Sequence, residues 1–220
     1  MKAIFVVAVA ATLPFAAGIA VAGERTADPR EFRATAECVM TESPDQVRDL
    51  LATLPGSSRE QRAAKRLTSV YSSCSGDSFG LSMSSGGQGL YNGRADMAAA
   101  AATVVLRGGR RAETPGGLKA WYLNAMAGQM AGRGYDPVAL GMQEFGTCVL
   151  NAAPDAAASL VQSAAGSAAE RQALDAIKPV LAGCVVQGKP ISMKRDQLRL
   201  MIAEPLYHAI VDGPSAGRRS

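Results

Sequence analysis

The sequence predicts an all-α protein made of two tandem homologous helical bundles, each closed by one disulfide. Three observations carry this prediction: the composition, the spacing of the cysteines and an internal repeat. Aromatic residues make up only 5% of the chain, and alanine is abundant. Alanine favours helices more than any other residue, whereas strands favour β-branched and aromatic residues. The composition therefore indicates helices rather than strands.

The cysteines mark an internal repeat of 110 residues. Cys38 and Cys74 are 36 positions apart, and Cys148 and Cys184 have the same separation. A shift of 110 residues superposes the two pairs. Without any gap, the same shift also matches other uncommon dipeptides, namely Pro44-Asp45 with Pro154-Asp155 and Gly56-Ser57 with Gly166-Ser167. We infer a tandem duplication.

An exported chain with an even number of cysteines is expected to form disulfides. Four cysteines allow three pairings, and the repeat selects Cys38–Cys74 and Cys148–Cys184 because each copy then closes itself. Zinc sites use closely spaced cysteine and histidine ligands. The chain has no C-x-x-C motif and a single histidine, so we predict no metal and no cofactor.

The first 22 residues are typical of a secretory signal peptide. Lys2 precedes an apolar run that ends in Ala20-Val21-Ala22, a small-residue cleavage pattern. The alternative is a membrane anchor, since 20 apolar residues can cross a bilayer. Pro14, Gly18 and the lack of a flanking basic cluster weigh against an anchor. We therefore predict a periplasmic or secreted protein with no membrane span after cleavage.

The rest of the chain divides into a first repeat (23–106), a linker with a connecting helix (107–137), a second repeat (138–211) and a disordered tail (212–220). Helix starts are signalled by Ser43 before Pro44, and by an S-x-x-E capping box in each repeat. The capping boxes are Ser57 with Glu60 and Ser167 with Glu170. The connecting helix is predicted over Leu118–Met130.

The paired Cys-x35-Cys units resemble a group of uncharacterised exported bacterial proteins with two such helical repeats. The stretch most similar to that group is CVLNAAPDAAASLVQSAAGSAAERQALDAIKPVLAGC, followed by LRLMIAEPLYHAI. The resemblance covers most of residues 30–211. It implies export and a helical fold. Since no activity is known for the group, it implies no catalytic residue.

One motif raises the alternative of a serine hydrolase. Gly76-Asp77-Ser78-Phe79-Gly80 fits G-x-S-x-G, but a nucleophile elbow follows a strand, and a helix is predicted before Ser78. The only possible histidine base is His208, in the last helix. Glu204 of that helix is expected to pair with Arg199 or another cation of the second repeat, or to be solvated.

The best binding candidates are Trp121 and Tyr122, beside the basic residues Arg110 and Arg111. Tyrosine and tryptophan are enriched at interfaces, although Trp121 is also a candidate for packing between the two bundles. A net charge of +4 and export both argue against nucleic acid. We predict a non-catalytic binding or structural module whose partner is an envelope protein or an anionic envelope component.

Overall fold

A computed structural model describes residues 29–75, 93–112, 117–127, 134–185 and 193–213. Within these ranges the chain is all-α, as its composition predicts. The described helices are α1 (Pro29–Glu42), α2 (Pro44–Leu51), α3 (Ser58–Ser75), α4 (Gly93–Arg107), α5 (Tyr122–Ala127), α6 (Pro137–Ala152), α7 (Pro154–Gln162), α8 (Ala168–Cys184) and α9 (Arg195–Val211).

The helices form two tandem bundles, α1–α4 and α6–α9, with α5 between them. In each bundle a disulfide joins the first helix to the end of the third. Cys38 of α1 is bonded to Cys74 of α3, with 5.8 Å between their Cα atoms. Cys148 of α6 is bonded to Cys184 of α8, with a Cα separation of 5.6 Å. The repeat therefore predicted both pairings correctly.

The two bundles share one continuous hydrophobic core. At its centre α4 packs along both α1 and α9, and its residues from Met97 to Ala102 are all buried. Alanine side chains in this stretch let the neighbouring backbones approach closely, so this part of α4 is covered on every side. Because the core spans both repeats, we expect the described fold to unfold as one cooperative unit.

Helices α6 and α9 cross at very close range beside Gly146. A Cβ atom added at Gly146 would lie 2.0 Å from the backbone oxygen of Met201 in α9. Pro205, four residues after Met201, has no N–H to donate to that oxygen. The carbonyl of Met201 thus points out of its own helix into the space left by the missing side chain of Gly146.

The turn before the third helix has the same hydrogen bonds in both repeats. In the first, the Oγ of Ser57 accepts from the N–H of Glu60 at 3.1 Å, and Oε2 of Glu60 accepts from the N–H of Gly56 at 2.7 Å. The second repeat has equal distances at its equivalent residues. The predicted capping boxes therefore form with one change, because the glutamate bonds the glycine rather than the serine N–H.

Substitution of the two turn glycines separates backbone strain from packing. Gly56 has φ +81° and Gly166 has φ +78°, a conformation that costs a side-chain-bearing residue roughly 1–2 kcal/mol. A Cβ at Gly56 would also lie 2.5 Å from the backbone N of Asp136, whereas a Cβ at Gly166 meets nothing within 4 Å. We expect Gly166→Ala to lower the free energy of unfolding by the strain cost alone, and Gly56→Ala to lower it clearly more.

Urea unfolding followed by far-UV circular dichroism measures this difference. Equal losses in the two variants would show that the contact between the Gly56 turn and the start of α6 contributes nothing. That contact includes a hydrogen bond from the N–H of Asp136 to the oxygen of Pro55, at 2.8 Å.

Three local predictions need correction or fall outside the described residues. Ser43 occupies the N-cap position of α2, but its side chain makes no capping hydrogen bond. The connecting helix begins at Tyr122 rather than Leu118. The backbone N–H and oxygen of Leu118 are instead hydrogen-bonded to the side chain of Asn151. Most of the predicted tail, from 214 onward, lies outside the described residues, and Asp212 at its start lies 2.6 Å from Nδ1 of His208 in α9.

Candidate functional site

A buried arginine, Arg94 of α4, links the two repeats. Its side chain is 2% exposed and lies between Glu60 of α3 and Glu204 of α9, which are equally buried. Nη1 of Arg94 is 3.1 Å from Oε1 of Glu60. Its Nε donates to both carboxylate oxygens of Glu204, at 3.0 and 3.2 Å, and its Nη2 also donates to Glu204. Two acids from different repeats thus share one cation.

The same guanidinium group closes the turn after α2. Nη1 of Arg94 donates to the oxygen of Leu50 and to Oγ1 of Thr53, both at 3.1 Å. Nη2 donates to the oxygens of Leu51 and Thr53, at 3.2 and 2.9 Å. Leu50 and Leu51 are the last two residues of α2, where backbone acceptors lack helical partners, and Thr53 follows the helix. Arg94 therefore binds the backbone acceptors at the end of α2 and the two buried carboxylates at the same time.

The protonation of Arg94 is secured by its neighbours. Burial alone lowers the pKa of Arg94, but the charges and hydrogen bonds of Glu204 and Glu60 outweigh it and raise the pKa above its ordinary value. Gln143 of α6 adds a further hydrogen bond from its Nε2 to Oε2 of Glu204, at 2.8 Å. Arg94 is accordingly a fixed positive charge within this cluster.

The second repeat contains a related cluster with two arginines, one bonded to a buried glutamate and the other to backbone oxygens. Arg199 of α9 donates from Nη2 to Oε1 of Glu170 at 2.6 Å and to Oγ of Ser163 at 3.4 Å. Arg33 of α1 donates to the oxygens of Ser163 and Val161, at 3.2 and 3.3 Å. One of these arginines therefore comes from the other repeat, as one of the acids does around Arg94.

Trp121 and His208 stack at the edge of the buried charges. Their ring centroids are 3.9 Å apart, with an interplanar angle of 11°, and Nε1 of Trp121 donates to Oε1 of Gln143 at 3.2 Å. Nδ1 of His208 is 2.6 Å from Oδ2 of Asp212, and its Nε2 is 3.2 Å from the oxygen of Leu51. Both neighbours are acceptors, so both contacts are hydrogen bonds only when the ring carries two N–H groups.

The stacked pair forms one wall of a groove of about 640 Å³. The groove lies between the segment 117–123 and the C-terminal part of α9. Arg48 and Lys119 contribute cations to its lining, and Leu123, 50% exposed, contributes an apolar surface. The groove therefore combines an aromatic wall, an apolar patch and positive charge.

The segment that borders the groove is held by side chains of α6. Oδ1 of Asn151 accepts from the N–H of Leu118 at 2.6 Å, while its Nδ2 donates to the oxygen of Leu118 at 3.0 Å. The hydroxyl of Tyr122 donates to Oε1 of Glu144 at 2.6 Å. Burial of Tyr122, followed by its hydrogen bond to Glu144, raises the pKa of this phenol. The wall is thus anchored at both ends.

The structure brings together only some of the predicted binding residues. Trp121 lines the groove, and Tyr122 packs beside it in a small apolar cluster with Leu54 and Leu140. Arg110 instead donates from Nη2 to the oxygen of Ile210 near the end of α9, at 2.8 Å, and the exposed Arg111 donates to the oxygen of Arg110. Neither arginine is among the described residues that line the groove.

The predicted partner of Glu204 was wrong. Glu204 pairs with Arg94 of the first repeat, whereas Arg199 pairs with Glu170. The reason is that α4 packs along α9, which places a first-repeat cation against the buried face of α9. The sequence does carry a signal, since an acid inside the apolar run LMIAEPLY requires a buried cation. It does not say which one. Ser78 lies outside the described residues.

Asp96 of α4 is a fourth buried acid, and no cation among the described residues lies within ion-pair distance of it. It is 8% exposed, and its Oδ2 has no hydrogen-bond partner among the described residues. Burial raises the pKa of Asp96 to about 7, against the opposing charge of Arg33. The folded protein therefore binds a proton on this carboxyl at pH values where the unfolded chain does not.

This carboxyl should make stability pH-dependent. Between its unfolded pKa of about 4 and about 7, the folded state binds more protons, so the free energy of unfolding falls as the pH rises and levels off above 7. We expect Asp96→Asn to remove this fall and to be more stable than the parent at pH 8. The full effect is about 4 kcal/mol at most.

Urea unfolding at pH 4, 6 and 8 measures the dependence. Asp155→Asn is the matched control, because Asp155 is exposed at the start of α7 and should leave the slope unchanged. The account would be contradicted if the free energy of unfolding rose steadily from pH 4 to 8 and did so equally in the parent protein and in Asp96→Asn.

No three His, Cys, Asp or Glu side chains gather into a possible metal site within the described ranges. Of the helices described here, none combines the length and apolar character that crossing a bilayer requires. Comparisons with protein-family models, with curated proteins and with solved structures found no match. The likeness to exported proteins with paired Cys-x35-Cys units therefore stays a prediction, supported by the helical fold and the two disulfides.

Proposed function

We propose that this chain is an exported, non-catalytic binding module of the cell envelope, periplasmic or secreted, and that its groove beside Trp121 holds an acidic envelope component. The groove carries the proposal. Its volume of about 640 Å³ falls in the range of ligand sites, which combine apolar and aromatic walls with a few polar groups.

The charges of the groove favour an acidic partner. Lys119 and Arg48 contribute cations, and the one acid among the described lining residues, Asp212, is 2.6 Å from the ring of His208. Arg48 is exposed and lies 3.1 Å from Asp45, a pairing that is worth little in water. Both cations are therefore available to a carboxylate or phosphate ligand.

A binding role fits the histidine better than a catalytic one. A general base needs a ring nitrogen within reach of the substrate's proton. Both nitrogens of His208 already contact acceptors, namely Asp212 and the oxygen of Leu51. Among the other interior acids, Glu60, Glu170 and Glu204 are paired with arginines, and Asp96 does not line the groove.

Export is supported by the two disulfides, since such bonds persist in oxidising compartments. The predicted signal peptide, 1–22, lies outside the described residues. Expression of the full chain with a C-terminal tag, followed by fractionation and N-terminal sequencing, tests this part. A mature protein that begins at Gly23 outside the cytoplasm is the expected result.

Trp121 is the only tryptophan of the chain, so its fluorescence reports directly on the groove. We expect titration of the mature protein with an acidic peptide, or with a phosphate-rich envelope polymer, to change this fluorescence saturably. Neutral dextran should not change it. The two acidic probes distinguish a protein partner from a polymer partner.

Leu123→Asp and Lys119→Glu should weaken the response at least tenfold, because they place negative charge in the groove. Val104→Asp is the matched control, since Val104 is 46% exposed and does not line the groove. A response that survives both groove variants would refute the site. Labelling of the mature protein by a fluorophosphonate probe, lost in Ser78→Ala, would refute the non-catalytic assignment in favour of a serine hydrolase.

A further inference from the structure

A second groove, of about 430 Å³, lies in the second repeat between α8 and the start of α9. One face of α8 forms its side, because residues 171, 174, 175, 178 and 181 recur at helical spacing. Phe145 of α6 and Leu198 of α9, both mostly buried, also line the groove. The volume lies within the range of sites for small molecules.

The groove presents apolar side chains that the core leaves partly uncovered. Four of them, Leu174, Leu181, Val185 and Met193, pack against the core but are only partly buried. They lie along one groove rather than scattered over the surface. Covering them with an apolar ligand removes their exposed area from water, which is favourable in proportion to that area.

The first repeat provides an internal comparison for this surface. Under the 110-residue shift, Leu174 and Leu181 correspond to Ala64 and Tyr71. Ala64 and Tyr71 are 7% and 3% exposed and belong to the core, whereas the two leucines stay partly exposed. The fold of the repeat therefore does not require an open apolar face at these positions.

Positive charge surrounds the apolar surface. The lining includes Arg171, Lys178, Lys194 and Arg195. The only acid among the described lining residues, Asp175, is 2.6 Å from Nζ of Lys178. Lys194 and Arg195 stand at the N-terminus of α9, where the helix dipole adds to their attraction for an anion.

We propose that this groove binds a free fatty acid with a chain at least as long as that of laurate. Its carboxylate lies beside Lys194 and Arg195, and its acyl chain runs along the face of α8 over Leu174 and Leu181. The inference is independent of the proposed function, because the two grooves share no described lining residue.

Isothermal titration of the mature protein with laurate tests the proposal. We expect saturable binding of one laurate per chain. Octanoate has the same head group but four fewer carbons, so it should bind about two-hundredfold more weakly, since each buried methylene contributes about 0.8 kcal/mol. Dodecyltrimethylammonium has a chain of the same length and a cationic head, and it should bind at least tenfold more weakly than laurate.

Two variants localise the site. Lys194→Glu with Arg195→Glu should weaken laurate binding at least tenfold, and the helix should still form because acids are favourable in its first turn. Leu181→Asp should have a similar effect through the acyl chain. Lys65→Glu is the matched control, because Lys65 is an exposed cation of α3 at the position equivalent to Asp175.

Three results would overturn the proposal, and a fourth would assign the surface to a different partner. Absence of laurate binding by the folded protein would overturn the proposal, as would equal binding of the cationic amphiphile or full binding by the Lys194/Arg195 variant. Binding to anionic vesicles without binding of monomeric laurate would assign the surface to a membrane instead. Leu123 lines the groove beside Trp121 and not this one. Leu123→Asp should therefore leave laurate binding intact, so the two proposals can fail independently of each other.

Discussion

Arg94→Met should lower the free energy of unfolding by about 3–5 kcal/mol, the cost of leaving a buried charge without its partner. Arg94 forms ion pairs with both Glu60 and Glu204 and also donates to the carbonyls at the end of α2. Methionine fills a similar volume but donates no hydrogen bond. The two acids would then face each other's charge in the interior, so the helices that carry them should separate more easily.

Urea unfolding at pH 7 measures the loss. Arg66→Met is the matched control, because Arg66 pairs with Asp49 at 3.3 Å on the exposed surface and should cost at most about 1 kcal/mol. Adding Glu204→Gln to Arg94→Met should restore part of the stability by removing one uncompensated charge. If the double variant is as unstable as Arg94→Met, charge is not the cause of the loss.

Removal of either disulfide should cost about 4 kcal/mol, because each bond closes a loop of similar length in the unfolded chain. The sequence separation is 36 residues in both cases. This cost is comparable to the whole stability of many domains, 5–15 kcal/mol. We expect Cys38→Ala with Cys74→Ala, and Cys148→Ala with Cys184→Ala, to be destabilised by nearly equal amounts.

The continuous core adds a second expectation. Since the core spans both repeats, each double variant should still unfold in a single transition, with coincident signals from circular dichroism and from Trp121 fluorescence. Two separate transitions would show that the repeats are independent domains. A loss below about 1 kcal/mol in either variant would contradict the loop-closure argument.

The sequence predicts well those features that depend on neighbouring residues or that occur in both repeats. The disulfides follow from Cys38, Cys74 and their repeated counterparts, and the turn at Gly56 follows from the glycine and the S-x-x-E pattern beside it. The same turn at Gly166 supports the prediction because the two turns make the same hydrogen bonds. Local patterns determine local geometry, and repetition strengthens them.

The contacts that the sequence does not predict join positions far apart. Arg94 and Glu204 are separated by 110 residues, and Leu51 and His208 by 157. Which cation meets which acid depends on how α4 lies against α9, and the periodicity of each helix does not fix this arrangement. The stacking of Trp121 on His208 is missed for the same reason, although both residues were singled out separately.

The ties between the repeats run in both directions. Arg33 reaches the turn carbonyls of the second repeat, while Glu204 and His208 reach Arg94 and the turn of the first. A chain carrying a single half would leave these polar groups without partners, and a second copy of that half would not supply them, because Arg94 in the first repeat stands where the second repeat has Glu204. The two repeats are thus complementary, like the two different subunits of a heterodimer joined end to end.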